Sequence, residues 1–208
     1  MCRTSKAATM AGAARSIDAS LMSQAMEENA FIEDVFALNS SILFNTRNLS
    51  KIDCSIPQIF TDFSRDFLYT LSNTPLFSIE KATSKSILMF KLAKDENQLV
   101  TRYFTSSSVQ AKRIKSDQKA IFFLLREAAR NDIASAQQLS GLTVNELISL
   151  ANYSNQDITK LIAANHYIFH YRGDENALKL SLLMPESENA KMMALSTLLQ
   201  TDIATHEN

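Results

Sequence analysis

Two histidines four residues apart, His166 and His170, are the first positions in this sequence whose type and spacing could do chemistry. On a helix that spacing presents two imidazoles to one metal ion. No cysteine or suitably spaced carboxylate joins them locally, and the run His166-Tyr-Ile-Phe-His-Tyr171 is β-prone rather than helical. A packed or hydrogen-bonded pair is therefore expected, with no metal and no cofactor. Cys2 and Cys54 are the only cysteines, too few for a disulfide framework or a Cys-rich zinc site. There is no Gly-rich phosphate loop, no nucleophile elbow and no Ser/His/Asp or Cys/His set in a believable context. The carboxylates are scattered without the pairing that general acid–base work requires, so catalysis is not expected.

Nucleic-acid chemistry is the next candidate. Residues 133–152 have the spacing of a helix-turn-helix, with Val144 to Asn152 in the recognition position. From Asn131 through Thr159, however, there is no Lys or Arg, while Asp132, Glu146 and Asp157 contribute −3. A helix in the major groove lies between rows of phosphates, where guanine readout and affinity both call for basic side chains. A hairpin packed in a core or on a partner fits this composition better. Lys112, Arg113, Lys115 and Lys119 form the one concentrated basic patch and are the candidates for phosphate contact, against the plainer reading of a solvated charge run. The formal net charge of −1 offers no global field to hold DNA, so any such contact must be local or shared with a partner.

The elements that position these residues are helical by composition. Only 3 Gly and 3 Pro occur in 208 residues, which disfavours a turn-rich β fold. Hydrophobic residues make up 46% and charged residues 21%, enough to bury a core. The apolar run Ile121 to Leu125 is too short to span a bilayer. The N-terminal stretch lacks the apolar core of a secretory signal, so no signal peptide is expected and a reducing, cytoplasmic setting is.

An internal repeat organises the chain. Shifted by 79 residues, 42–99 lies over 121–178 without a gap, with 15 identities in 58 positions. Ordinary composition gives roughly 6–7% chance identity, or about four matches. Arg47 matches Arg126, Asp53 matches Asp132, Phe90 matches Phe169, and Asp95-Glu96-Asn97 matches Asp174-Glu175-Asn176. The histidine positions are Ile87 and Lys91 in the first copy, which further weakens a metal reading. Two copies of a unit that normally pairs with itself would make a pseudo-twofold dimer in one chain.

The second copy carries the clearer punctuation. Asp117 is placed to cap a helix bearing Ile121, Leu124, Leu125 and Ala128. Gly141 is a helix stop, Thr143 to Glu146 a capping box, and Ser154 to Asp157 a further helix start. A short extended piece follows before a turn at Gly173-Asp174. In the first copy Ser64 stands for the capping Thr and Phe67 for its Glu.

Read from Ile121 to Glu175, the second copy resembles the FlhD family of bacterial flagellar transcription activators. The resemblance rests on Asp132-Ile-Ala-Ser-Ala136, Leu150-Ala151, Lys160-Leu161, Asn165 and the close Ile168-Phe-His-Tyr-Arg172-Gly-Asp-Glu175, with a weaker Leu195-Ser-Thr197 in the region of the family's last helix. It covers about a quarter of the chain, or about half if the first copy is its degenerate twin. The resemblance implies an all-helical dimer that joins FlhC, which supplies much of the promoter contact. It implies partner-binding roles for Asp132, Asn165, His170 and Arg172, with Asp53 as the first-copy counterpart of Asp132. The family's intersubunit cysteine falls on Phe169, and on Phe90 in the first copy. The family's Arg-containing loop before the last helix is replaced by Met184-Pro-Glu-Ser-Glu188, against direct DNA contact there.

The expected molecule is mainly α, with two FlhD-like modules forming an intramolecular pseudo-dimer and short extended segments. Its divisions are a leader at 1–32, a degenerate module at 33–104, a linker or entry to the second copy at 105–118, a second module at 119–184 and a tail at 185–208. The expected role is a transcriptional regulator subunit acting through a FlhC-like DNA-binding partner on promoter DNA, without membrane contact and with room for further self-association. The rival is an adaptor or sequestering anti-regulator that never meets DNA; a third reading is a direct DNA binder using residues 112–119.

Overall fold

A computed structural model describes residues 30–84, 87–94, 109–165 and 167–204, with side chains up to Gln200. Residues 1–29, Cys2 among them, His166 and Asp95-Glu96-Asn97 fall outside it. The described chain is mainly helical, with one two-stranded antiparallel sheet. No helix among these residues is long and apolar enough to cross a membrane.

The chain opens with α1 (30–52). A 3-10 turn at Pro57–Ile59 leads to α2 (Arg65–Asn73), α3 (Leu76–Thr83) and strand β1 (Phe90–Lys94). The order then recurs as α4 (Val109–Asn131), α5 (Ile133–Ser140), α6 (Val144–Ala151), α7 (Asn155–Ala164) and β2 (Tyr167–Tyr171). Two further helices, α8 (Glu175–Leu183) and α9 (Glu188–Ala204), complete it. Adding 79 to the start of α1, α2 or α3 gives the start of α4, α6 or α7.

The repeated residues also make repeated contacts. Arg47 Nε donates to the carbonyl of Thr74 at 2.6 Å, and Arg126 Nη1 to that of Tyr153, the equivalent position, at 3.3 Å. Buried amides at equivalent positions tie each long helix to the strand of its own half or to the residues leading into it. Asn39 donates to Ile87 and accepts from the Met89 amide, while Gln118 donates to Tyr167 at 2.7 Å.

The local punctuation follows the sequence. Gly141 closes α5 at φ 66°, a left-handed conformation that glycine adopts without Cβ strain. Both capping boxes, Thr143/Glu146 and Ser154/Asp157, are formed. Gly173 is required for a different reason: a Cβ there would lie 2.9 Å from the Tyr171 hydroxyl.

Three expectations need correction. Of linker and entry to the second copy, the linker is corrected from Val109 onward: the chain is helical there and runs into the second copy, because Ala111, Ile114, Gln118, Ile121 and Leu125 form a buried stripe at helical spacing. Asp117 is consequently not a cap but an interior residue of α4, accepting from Ser41 at 2.9 Å and Asn45 at 2.7 Å on α1. The supposed tail contains α9, which packs on α8 through buried Ala190, Ala194 and Leu198.

One continuous core joins the halves. Its centre is aromatic: Phe63 stacks on Phe67 at 4.3 Å, and Phe63, Phe90 and Tyr171 lie within 6.0 Å of one another. Burying each such side chain is worth about 1.5–3 kcal/mol before chain entropy is counted.

Candidate partner surface

In the sheet, Phe90 faces Tyr171, Lys91 faces His170 and Leu92 faces Phe169. Lys91 and His170 are themselves 79 apart, so this rung of the ladder pairs two equivalent positions. Phe90 and Phe169 meet edge-to-face at 6.3 Å across this centre.

On its other side β2 is held by the first half. The Phe169 amide donates to the Phe60 carbonyl at 2.8 Å, and the Tyr171 amide to Asp62 Oδ1 at 3.0 Å. His170 Nδ1 contacts Asp62 Oδ2 at 2.5 Å, leaving His170 half-exposed. His170 thus has a carboxylate partner, and among the described residues no group of three His, Cys, Asp or Glu could hold a metal ion.

Arg172 is placed differently from the expectation of a partner contact. It is 3% exposed, and its guanidinium donates to the carbonyls of Leu88, Leu139 and Gln138. Its backbone amide donates to Met89. Arg172 is an internal brace between the residues leading into β1 and α5, and a buried cation held this way has no surface to offer.

Asp132 is exposed and caps α5, accepting from the amides of Ala134 and Ser135 and from the Ser135 hydroxyl. These bonds, the Ser135 hydroxyl foremost, hold its carboxyl below the usual range. Asp53 accepts from the Ser55 amide at 2.8 Å, which depresses it likewise. Asn165 is half-buried at the end of α7, its side-chain amide donating to Leu161 at 2.8 Å. All three have local structural duties, and Asp132 and Asp53 also project charge into solvent.

Of the basic patch, Lys112 and Arg113 are exposed while Lys115 and Lys119 are half-buried. Lys112, Lys115 and Lys119 follow one helical stripe, with Arg113 about 100° round the helix. Lys119 lies 5.3 Å from the Phe123 ring centre. Arg113 lines a cleft of about 240 Å³ with Asn45, Asn48 and Gln110. The patch is thus divided between two directions.

Two important residues escaped the sequence reading. Asp62 gives no local signal, since its partners lie over 100 residues away. Glu175 was noted only within the repeated Asp-Glu-Asn run and the closing motif, with no partner assigned. Its carboxylate accepts from the Ser64 amide at 2.8 Å and from the Ser64 hydroxyl, 111 residues distant. Glu146 makes the same two bonds to Thr143 within the second half. The Glu that Phe67 displaced from the first capping box is therefore supplied from α8.

No protein-family model, curated protein or solved structure matches this chain.

Proposed function

We propose that this chain is a regulatory subunit that works by protein–protein contact, its two halves standing where two subunits of an FlhD-like dimer would stand. The observation that carries the reading is the ladder register. A twofold axis through an antiparallel pair sets equivalent residues opposite each other, and Lys91 opposite His170 meets that condition. The Phe90–Phe169 contact supports it further, because the resemblance assigns both positions to a cysteine that links subunits.

In this reading the chain brings a preassembled pair to a FlhC-like subunit that holds promoter DNA. The acidic stretch through α5, α6 and the start of α7, without Lys or Arg, favours a protein partner over phosphate there. The same stretch favours the adaptor or anti-regulator as second reading.

A mobility-shift assay on a flagellar class-two promoter, with this chain, a FlhC-like protein, and both, separates the readings. The proposal expects enhanced, salt-sensitive binding only in the mixture. Loss of the partner's own binding assigns sequestration instead. Binding by this chain alone that disappears in the Lys112→Ala, Arg113→Ala, Lys115→Ala triple variant assigns direct DNA contact.

A further inference from the structure

An open, mainly apolar groove of about 340 Å³ lies between α2, α3 and the end of α8. Tyr69, Pro75 and Phe77 line one side, and Leu182, Leu183 and Pro185 the other. Tyr69 is 67% exposed, Phe77 52% and Leu183 61%. Leu76 and Met184 beside them are also at least half-exposed. Single exposed apolar residues are ordinary, but three large ones lining one concavity, with two more next to them in the chain, are a feature of protein-binding sites.

Charge narrows the occupant. Asp66 pairs with Lys179 and Glu186 with Lys81, yet the members of each pair are unequally open to solvent. The Asp66 and Glu186 side chains are 79% and 76% exposed, against 28% and 41% for the two lysines. Exposed Glu80 adds a third carboxylate one turn from Phe77. Arg65, next to Asp66, is exposed as well but acts on Asp53, so the carboxylates beside the groove are more open to solvent than the lysines paired with them, which favours cationic flanks.

We infer that this groove docks a peptide segment of a partner protein, amphipathic, with bulky apolar anchors and Lys or Arg flanks. The anchors enter between Phe77 and Leu183, as in helix-in-groove recognition, and the flanks meet Asp66, Glu80 and Glu186. The inference deepens the reading of the chain as a protein–protein regulator by naming a contact surface. That surface is separate from the central sheet.

The test uses the full chain and two labelled synthetic helices of equal length, one Leu/Lys and one Leu/Glu, followed by fluorescence anisotropy. The Leu/Lys peptide is expected to bind at least about tenfold more tightly than the Leu/Glu peptide. Phe77→Ser and Leu183→Ser each weaken it about tenfold, whereas the control Ile148→Ser on α6 leaves it unchanged. All three positions are exposed, and circular dichroism checks that each variant is folded. Equal affinity for the two peptides, or binding indifferent to both groove variants, overturns the inference. Self-association of the chain that the groove variants abolish also overturns it, assigning the face to a second copy. Because no promoter enters this assay, groove binding with a failed mobility shift removes the transcriptional reading alone, and the converse result removes the groove alone.

Discussion

Arg172 and Asp117 show how differently a buried charge is accommodated. Arg172 meets backbone carbonyls from two segments, so its removal leaves acceptors buried without their donor. Arg172→Met keeps the stem volume but is expected to cost about 2–4 kcal/mol in urea-induced unfolding. Asp117 is disfavoured as a carboxylate: burial raises it above the usual 3.8, and the bonds from Ser41 and Asn45 offset this only in part. A raised folded value means that the folded state binds the proton more tightly than the unfolded chain. The associated stability is complete below pH 3.8 and lost as pH rises through the folded value. The difference in unfolding free energy, wild type minus Asp117→Asn, is therefore expected to fall with pH in the window just above 3.8. A flat difference there, measured by denaturant titration at several pH values, contradicts the assignment.

At the scale of elements, helix starts and stops were legible because their chemistry is local. Gly141, the Thr143 and Ser154 boxes, and the β-prone run at Tyr167–Tyr171 could each be read within a few residues. The first turns of α4 were missed because Ser-rich and basic composition outweighed the periodic stripe beneath it. That stripe, beginning at Ala111 and Ile114, was present to be counted. The start of α2 was half legible: Ser64 was recognised, but its carboxylate partner is held in place only by tertiary structure. Glu175→Ala is accordingly expected to cost about 0.5–1 kcal/mol and to speed hydrogen exchange at the first amides of α2. In a double-mutant cycle with Ser64→Ala the two losses should couple, while Glu175→Ala paired with Thr143→Ala should be additive.

For the molecule as a whole, the repeat made the element order legible, but not the depth to which the halves share a core. Phe60, Phe63 and Phe67 from one half share a core with Phe169 and Tyr171 from the other, Phe63 packing on Tyr171, and Arg172 reaches back to Leu88. The site residues suffered most from this: burial and cross-half pairing depend on where remote segments meet, which spacing alone does not reveal. A protease site engineered between residues 95 and 108 supplies the corresponding test. After cleavage the two pieces are expected to co-elute at the volume of the intact chain and to separate only in denaturant. Two independently eluting fragments would mean that the shared core contributes little.

In the proposed pseudo-dimer, the pairing of Lys91 with His170 has one more consequence. In an assembly of two identical chains, the residue on the axis is obliged to meet its own duplicate, so a cation there would oppose a cation. Joining the copies in one polypeptide lifts that obligation. Lys91 can be a lysine while its counterpart is a histidine turned toward Asp62, each position free to differ from the other.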